Sequence, residues 1–381
     1  MRSQDFWTDP DLNFRKTGKC KINYYASIAR FDLNGNQFDY DAVVIGAGTA
    51  GLSAGIALQK AGKRYIIIDK KAEIGIPVRS TGAVSKEWVE RIGMPVDDGI
   101  ITTKIREMSF RTDRGKSISM DFKKTVGYVY DFTRYEKFLA ESMAGKLNIR
   151  LETRVTSVEG NTVNTDKGIF SGRYVIFAAG PQSAFGTKLD RNNILVAYEE
   201  TRKLPPRNDY QMILWFTDLA PGGYVWDFAD TENTRKVGVC FYPLNGKQPK
   251  QVLDEFTMKF PELEGKPVHS MAHQIPLARP SEIVVKENYL YTGDMVNSVL
   301  NTTAGGLQGA FWTGKSAGEA VAADNPQLYQ NTWDTEIRPW LMRHHELHRK
   351  LHKNGARSIG RYISIARVMP MNTKKKVFGG L

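Results

Sequence analysis

Asp41-Ala-Val-Val-Ile45-Gly46-Ala-Gly48-Thr-Ala-Gly51 is the most informative stretch of this 381-residue sequence. Its first five residues form a short apolar run rich in β-branched side chains, which is typical of a buried parallel strand. Residues 52–60 then predict a helix that stops at Ala61-Gly62, and residues 64–69 predict a second strand. The stretch therefore opens a β-α-β unit of about thirty residues.

The spacing Gly46-x-Gly48-x-x-Gly51 points to a dinucleotide-binding turn. The first glycine permits a tight turn from strand to helix, the second lets the backbone approach a pyrophosphate, and the third allows close packing of helix on strand. The diphosphate would then lie on the free N–H groups at the helix N-terminus. Asp69 ends the second strand 23 residues after Gly46, where a carboxylate can bind ribose hydroxyls. A tight glycine turn without a ligand is the alternative.

Two later segments favour FAD over NAD as the dinucleotide. The fingerprint occurs once, so a separate nicotinamide domain is not expected. Asp294 follows a predicted strand and could hold the ribityl chain of a flavin, while Gly305 and Gly306 open a helix and could present N–H donors to the flavin's pyrimidine edge. The residues that we assign to the FAD site are Gly46, Gly48, Ala50, Gly51, Asp69, Lys70, Arg79, Arg134, Val155, Gly293, Asp294, Gly305 and Gly306.

The order of predicted elements indicates an α/β fold. A Rossmann-like FAD-binding domain, built on a parallel sheet with helices, is interrupted by an antiparallel-sheet substrate domain and followed by a helical C-terminal tail. Within the insertion, residues 210–216, 224–228 and 236–242 are aromatic and β-branched and are separated by turn signals, which predicts an antiparallel meander. The expected regions are an N-terminal extension at 1–38, the FAD-binding domain at 39–105, 125–185 and 282–330, the substrate domain at 106–124 and 186–281, and a basic helical C-terminal region at 331–381.

The composition excludes several classes of protein. Hydrophobic residues make up 41% of the chain and charged residues 25%, which argues against a disordered or low-complexity scaffold. Two cysteines, Cys20 and Cys240, cannot form a disulfide framework or a cysteine-ligated zinc or iron–sulfur site, and they indicate a reducing compartment. Neither an 18-residue apolar stretch nor an apolar signal segment is found, so we expect a cytoplasmic protein. The net charge of +12 indicates an anionic partner.

With these residues in view, roughly residues 39–350 resemble the geranylgeranyl reductase family of flavoproteins, a branch of the p-hydroxybenzoate-hydroxylase-like superfamily. The match includes Glu73-Ile-Gly-Ile-Pro-Val-Arg79, Gly127-Tyr-Val, and Gly293-Asp294 with Ala304-Gly-Gly306. Tyr224-Val-Trp226-Asp-Phe228 resembles the family's Tyr-x-Trp-x-Phe-Pro signature. The Pro-Val-Arg loop and the aromatic signature are more specific than the FAD motifs, which occur throughout the superfamily.

The resemblance implies reduction of isolated C=C bonds in an isoprenoid lipid, by hydride transfer from reduced FAD and addition of a proton to the other carbon. It also implies an external electron donor, either reduced ferredoxin or NAD(P)H, and it assigns Arg79 and Arg134 to the flavin or its phosphates. Since an isolated alkene is not polarised by a carbonyl, the site has to supply geometry and a proton together. We expect an apolar tunnel with a substrate wall formed by Tyr224, Trp226 and Phe228, which alternate by two along one strand; an ordinary sheet core is the alternative. No proton donor is identified.

The chain departs from the family pattern at four places. Ser80-Thr81-Gly82-Ala83 stands where the family commonly has Cys-Gly-Glu-Gly, so the thiol of this loop is missing. Ala229 replaces the last proline of the aromatic signature, and Leu300-Asn301 replaces an Asp-Pro pair. Phe132 replaces the arginine that opens the helix after Gly-Tyr-Val, with Arg134 two residues on.

Two other functions are compatible with these motifs. A flavin-dependent monooxygenase or halogenase acting on an apolar substrate would share the fold, but the Asp-Gly pair of the hydroxylases and the full halogenase signature are missing. An FAD-binding electron carrier without chemistry of its own is the third reading.

Two-thirds of the net charge lies in the last 49 residues, since residues 333–381 carry a net charge of +8. His344, His348 and His352 share one helical face, which we interpret as a solvated basic helix rather than a zinc site. Residues 357–367 predict a basic amphipathic helix with Ile359, Tyr362, Ile363 and Ala366 on one face. That face could lie on an anionic membrane surface, together with Lys374-Lys-Lys376, or pack against the protein. No nucleic-acid partner is expected.

Overall fold

The computed structural model describes residues 38–370, except 182, 187–189, 206–209, 244–245 and 354. Residues 1–37 of the expected N-terminal extension, with Cys20, and the lysines at 374–376 lie outside the described residues. The elements in chain order are β1 (Tyr40–Ile45), α1 (Thr49–Lys60), β2 (Tyr65–Ile68), β3 (Ala83–Ser85), α2 (Lys86–Ile92), β4 (Ile101–Ile105), β5 (Glu107–Thr112), β6 (Ser117–Asp121), β7 (Gly127–Tyr130), α3 (Phe132–Glu141), β8 (Ile149–Arg150), β9 (Val155–Glu159), β10 (Thr162–Thr165), β11 (Gly168–Phe177), β12 (Ile194–Lys203), β13 (Gln211–Phe216), β14 (Tyr224–Thr231), β15 (Thr234–Phe241), α4 (Pro249–Lys259), β16 (Lys266–Pro276), β17 (Val285–Lys286), β18 (Tyr289–Tyr291), α5 (Leu307–Ala322), α6 (Gln327–Thr332), α7 (Arg338–Leu351) and α8 (Ala356–Val368).

The first sheet has the predicted parallel core. Its strand order is β17-β18-β11-β1-β2-β8, and the pairs from β18 to β8 are parallel. The β9–β10 hairpin extends β11 by antiparallel pairing. Helices α1 and α5 pack closely together, since a Cβ on Gly314 would lie 2.0 Å from the carbonyl oxygen of Ala50. The predicted α/β fold is thereby confirmed.

The second sheet contains the predicted meander, β13-β14-β15, and further strands on both sides of it. Its order is β16-β12-β15-β14-β13-β5-β6, and all its pairs are antiparallel except β5 with β13. Parallel pairing is possible there because the chain passes through the first sheet between these two strands, so no hairpin joins them. One face packs on α4, and the other packs on α8 and on residues of β4 and β7. A small sheet, β3-β7-β4, contacts the second sheet through β4 and helix α5 through β3.

The solvated histidine face predicted for residues 344–352 is wrong. His344 Nδ1 lies 2.7 Å from the Thr302 hydroxyl, and the buried His348 Nε2 lies 2.9 Å from the Gly222 carbonyl oxygen. Burial lowers the pKa of His344 to about 4 and that of His352 to about 3. These rings are therefore neutral at pH 7, and α7 packs on the protein through them.

The amphipathic helix at the C-terminus is α8, and its apolar face is covered by the protein. Ile359, Ile363 and Ala366 are buried against the second sheet, whereas Tyr362 is 47% exposed. One residue of the predicted apolar face, Tyr362, therefore does not belong to the buried face. The other three are buried in the protein and cannot contact a membrane. Among the described residues, no helix has the length and hydropathy needed to cross a bilayer.

Candidate functional site

The glycine turn between β1 and α1 is shaped by two close approaches. Gly46 has a φ of +110°, and a Cβ there would lie 2.3 Å from the carbonyl oxygen of Ala178. A Cβ on Gly51 would lie 1.8 Å from the carbonyl oxygen of Gly46. Neither approach leaves room for a side chain, so the turn presents bare backbone above the carboxyl end of β1.

The N-cap residue of α1 contributes no side chain. Gly48 occupies that position, and the N–H of Thr49, the next residue, donates a hydrogen bond to the carboxylate of Glu136. Asp69 lies beneath the turn at the end of β2, and its carboxylate accepts hydrogen bonds from the N–H groups of Ala47 at 2.6 Å and Lys71 at 2.9 Å. Lys70 beside it is exposed. The structure therefore brings Gly46, Gly48, Ala50, Gly51 and Asp69 together.

A buried acid beside this turn was not predicted. Glu136 of α3 accepts hydrogen bonds from the Thr49 hydroxyl and the Lys71 ammonium group, both at 3.3 Å. Burial raises the pKa of Glu136, while Lys71 and Thr49 act in the opposite direction. An acidic residue inside a predicted amphipathic helix carries no signal that distinguishes it from a solvated one.

The second predicted group lies beside the N-terminus of α1, in the segment that leads into α5. Gly293 has a φ of +64°, donates its N–H to the Thr313 hydroxyl at 2.9 Å, and packs beside Ala50. Burial raises the pKa of the next residue, Asp294, to about 6. Gly306 is the N-cap residue of α5, and a Cβ there would lie 3.5 Å from the Asp294 carboxylate. Gly305 pairs with Leu300 in a short bridge that closes the loop between them.

Three further residues that we assigned to the FAD site lie outside these two groups. Arg134 has a side chain that is 70% exposed and lies 3.4 Å from the carboxylate of Asp131, one turn away in sequence. Arg79 is exposed and lies near His273. Val155 begins β9 and packs against the core of the first sheet. Two residues before it, the N–H of Thr153 donates a hydrogen bond to the carbonyl oxygen of Asp69.

A cavity of about 110 Å³ lies between the second sheet and the start of α5. All three predicted wall residues, Tyr224, Trp226 and Phe228, line it, together with Gly305 and Gly306. The Tyr224 hydroxyl donates a hydrogen bond to the carbonyl oxygen of Thr303, which joins the sheet to the glycine loop. The non-aromatic apolar lining comes from β4, β5, β13, β16 and the start of α5. It consists of Ile105, Met108, Met212, Leu214, Ile275 and Leu307.

A thiol lines the cavity even though the loop after Arg79 has none. Cys240 of β15 is buried and free, and it faces the same space as Tyr224 and Trp226. Burial raises the pKa of its thiol to about 12, so the thiol is protonated at neutral pH.

Polar groups behind the cavity wall were also missed. Glu199 of β12 accepts hydrogen bonds from the Thr81 hydroxyl at 2.6 Å and the Trp226 indole at 2.8 Å. The Lys236 ammonium group donates to the carbonyl oxygens of Thr81 and Tyr130. A signal for Glu199 does exist, because it follows the buried apolar residues Leu195 and Ala197 at alternate positions of one strand.

Two comparisons of sequence bear on this chain. Residues 43–184 match a family model described as pyridine nucleotide-disulphide oxidoreductase. The digeranylgeranylglycerophospholipid reductase of Methanococcus aeolicus is 30% identical over 336 residues, which cover 80% of this chain and 84% of the relative. The enzyme of the same name from Methanococcus vannielii is 31% identical over 312 residues, covering 74% and 77%.

Solved structures share the fold at lower identity. A geranylgeranyl bacteriochlorophyll reductase-like protein from Thermoplasma acidophilum superposes with a TM-score of 0.79 at 21% identity, covering 87% of this chain and 92% of the neighbour. HpxO of Klebsiella pneumoniae, solved with FAD and uric acid, superposes with a TM-score of 0.67 at 15% identity, covering 89% and 97%.

Proposed function

Because the chain belongs to the digeranylgeranylglycerophospholipid reductase family of FAD-dependent oxidoreductases, we propose that it reduces isolated C=C bonds in a geranylgeranyl-type lipid. The relatives that carry the reductase name are about 30% identical to this chain, whereas HpxO is more distant at 15%. The observation that carries the proposal is the cavity, since a largely apolar space bounded by both the aromatic strand and the glycine loop of α5 suits a prenyl chain.

The residues present fit FAD as the cofactor. A Cβ on Gly51 would clash with the Gly46 carbonyl oxygen, so α1 packs directly on the glycine turn, and Gly48 at the N-cap leaves bare backbone that a diphosphate can approach. Gln308 lines the cavity with a buried Oε1 that has no hydrogen-bond partner among the described residues. We propose that the glycine turn and Asp69 hold the adenosine diphosphate part, and that Asp294 with Gly305 and Gly306 hold the flavin part. Arg79, Arg134, Lys70 and Val155 remain candidates for contacts with the same cofactor.

When bound and reduced, FAD would supply the hydride. The protein has to hold the alkene against it, exclude water and provide a proton for the second carbon. Tyr224, Trp226 and Phe228 form the wall that orients the chain, and the hydrogen bond from Tyr224 to Thr303 fixes this wall relative to the glycine loop. Electrons reach the flavin from an external donor, reduced ferredoxin or NAD(P)H, because the sequence has a single dinucleotide fingerprint.

We expect the dithionite-reduced protein to be reoxidised by a digeranylgeranylglyceryl phospholipid without oxygen. The flavin absorbance should return within the anaerobic cuvette, and mass spectrometry should show two added hydrogen atoms for each reduced bond. A fully saturated lipid of the same headgroup serves as the control and should leave the flavin reduced. Reoxidation that begins only when oxygen is admitted, with a product that has gained an oxygen atom, would instead identify a monooxygenase.

The lipid substrate requires access to a bilayer, and α8 offers a surface for it. Tyr362, Ile365 and Val368 are 47%, 53% and 84% exposed, and Arg361 is exposed beside them. Apolar side chains flanked by cations suit an anionic bilayer, because burial of the apolar groups adds to attraction of the charges. We propose that this stripe, opposite the face packed on the second sheet, docks on anionic lipid.

We expect Ile365→Glu combined with Val368→Glu to weaken binding to phosphatidylglycerol vesicles at least tenfold, since burial of each side chain contributes roughly 1.5–3 kcal/mol. Co-sedimentation in low and high salt measures this. Met258→Glu in α4, where Met258 is 75% exposed, is the matched control and should bind as the parent does. Equal binding of all three proteins would refute the docking surface.

A further inference from the structure

A row of three residues crosses the second sheet beside the cavity. Glu199 of β12 and Trp226 of β14 both stand opposite Gly238 of the strand between them, β15. A Cβ on Gly238 would lie 2.2 Å from a ring carbon of Trp226, so the indole lies over the bare glycine. This is what lets the indole N–H reach Glu199 Oε2 at 2.8 Å.

The Glu199 carboxyl is buried and reaches the cavity through one hydroxyl. Glu199 is 3% exposed, and its Oε2 lies 2.6 Å from Oγ1 of Thr81, which lines the cavity. Burial raises the pKa of Glu199, and the charge of Lys236 acts in the opposite direction. Because a hydroxyl can rotate to donate or to accept, the same contact allows a proton to leave Glu199 for Thr81.

Other polar groups on the cavity wall are poor proton donors. Burial holds the pKa of Cys240 at about 12, and the Tyr224 hydroxyl already donates to a backbone carbonyl and has a pKa well above 10. Burial and the nearby Arg79 lower the pKa of His273 to about 4, so its ring carries no spare proton at neutral pH. Reduction of an alkene nevertheless needs a proton at one carbon.

We propose, building on the reductase function above, that Glu199 stores the proton that completes the reduction and that the Thr81 hydroxyl delivers it to the alkene. One alkene carbon receives a hydrogen and two electrons as hydride from the reduced flavin. The π electron pair forms the second C–H bond with the Thr81 hydroxyl proton, and Thr81 takes the carboxyl proton of Glu199 at the same time. Glu199 is left as a carboxylate and regains a proton from solvent. The flavin is oxidised, because it loses the two electrons that the alkene gains.

The groups around Glu199 stabilise both the protonated and the ionised form of its carboxyl group. Trp226 and Lys236 stabilise the carboxylate after transfer, while burial favours the protonated acid before it. Asp230 also raises the pKa of Glu199, and its own carboxylate lies 3.6 Å from the Lys236 ammonium group. His273 on the neighbouring strand β16 and the exposed Arg79 lie on the remaining side.

Glu199→Gln tests the proposal, since the amide keeps an acceptor for Trp226 but has no acidic proton. In anaerobic single-turnover reoxidation by the prenyl lipid, we expect a rate at least 100-fold lower than that of the parent. The parent rate should fall as the pH rises through the raised pKa of Glu199, because the acid form is the active one, and this slope should be absent in the variant. FAD content and reoxidation by oxygen should be unchanged.

Infrared spectroscopy gives a readout that does not depend on turnover. The parent protein should show a protonated-carboxyl band that disappears with rising pH and is missing in Glu199→Gln. If no such band exists at the pH of turnover, Glu199 is ionised and the proposal is overturned. If the parent reduces no alkene at all, the reductase function has failed, and the proton pathway falls with it.

Two further variants separate the pathway from a structural effect. Thr81→Val should lose rate as Glu199→Gln does, and Thr81→Ser, which keeps the hydroxyl, should restore it. Glu200→Gln alters the next residue of β12, a buried acid that faces away and pairs with Arg202 at 2.8 Å. It should lower the melting temperature without changing the pH profile. A Thr81→Val enzyme with the parent rate would overturn the role of Thr81 as donor.

Discussion

The Gly51→Ala variant should be purified without FAD and with a free energy of unfolding about 3 kcal/mol lower than that of the parent. The added Cβ would stand 1.8 Å from the carbonyl oxygen of Gly46. The atoms that it meets, the carbonyl oxygen and carbon of Gly46, belong to the backbone, so no side-chain rotation relieves the clash, and α1 must move away from β1. That movement removes the cradle at the N-terminus of the helix, on which a diphosphate depends.

Gly55→Ala is the matched control, one turn further along α1. Its Cβ would meet Cδ1 of Ile67 at 2.6 Å, the far end of a flexible side chain that can turn aside. Alanine also favours the helix by about 1 kcal/mol over glycine. Absorbance spectra give the FAD content and chemical denaturation gives the stability. Retention of stoichiometric FAD by Gly51→Ala would show that the turn does not hold the cofactor.

The fold around the glycine turn was predictable because its determinants are local. β1, α1 and β2 follow one another within about thirty residues, and each has the period of its own element. Gly293 and Ala50 lie far apart in sequence, and although both were assigned to the FAD site, the close contact between them was not predicted. Strands β12 and β16 were not predicted individually, since their pairing partners are distant and β16 is largely exposed along its first five residues.

The chemistry of the cavity was the least predictable part. Tyr224, Trp226 and Phe228 share a face because strands alternate, and this placed them correctly. What makes Trp226 reach Glu199 is the absence of a side chain at Gly238, a residue on a third strand. Likewise, the period of α8 defines its two faces, but which face is buried depends on a sheet more than a hundred residues away, and Tyr362 falls on the exposed side. These contacts are determined by tertiary packing, so the local sequence pattern does not predict them.

Asp294→Ala should also be purified colourless, with an affinity for FAD at least tenfold and up to about a thousandfold lower. Hydrogen bonds to a charged group contribute roughly 1.5–3 kcal/mol each, and the ribityl hydroxyls of a flavin can offer more than one. None of the described residues forms an ion pair with this carboxyl, and burial alone raises its pKa to about 6. The group is therefore costly to the protein until a ligand donates hydrogen bonds to it.

The raised pKa of Asp294 gives this role a pH signature. Below about pH 6 the carboxyl is protonated in the free protein, and a cofactor that binds the carboxylate must then displace the proton. The affinity of the parent for FAD should thus fall as the pH is lowered from 7.5 to 5, by up to tenfold for each pH unit below 6. Asp294→Asn, which cannot ionise, should lack this dependence. Asp324→Ala, at the far end of α5 where Asp324 pairs with Arg173, should keep both FAD and the pH dependence. Titration calorimetry with FAD at several pH values measures all four proteins, and a parent affinity that does not change between pH 5 and 7.5 would exclude Asp294 as an ionised ligand of the flavin.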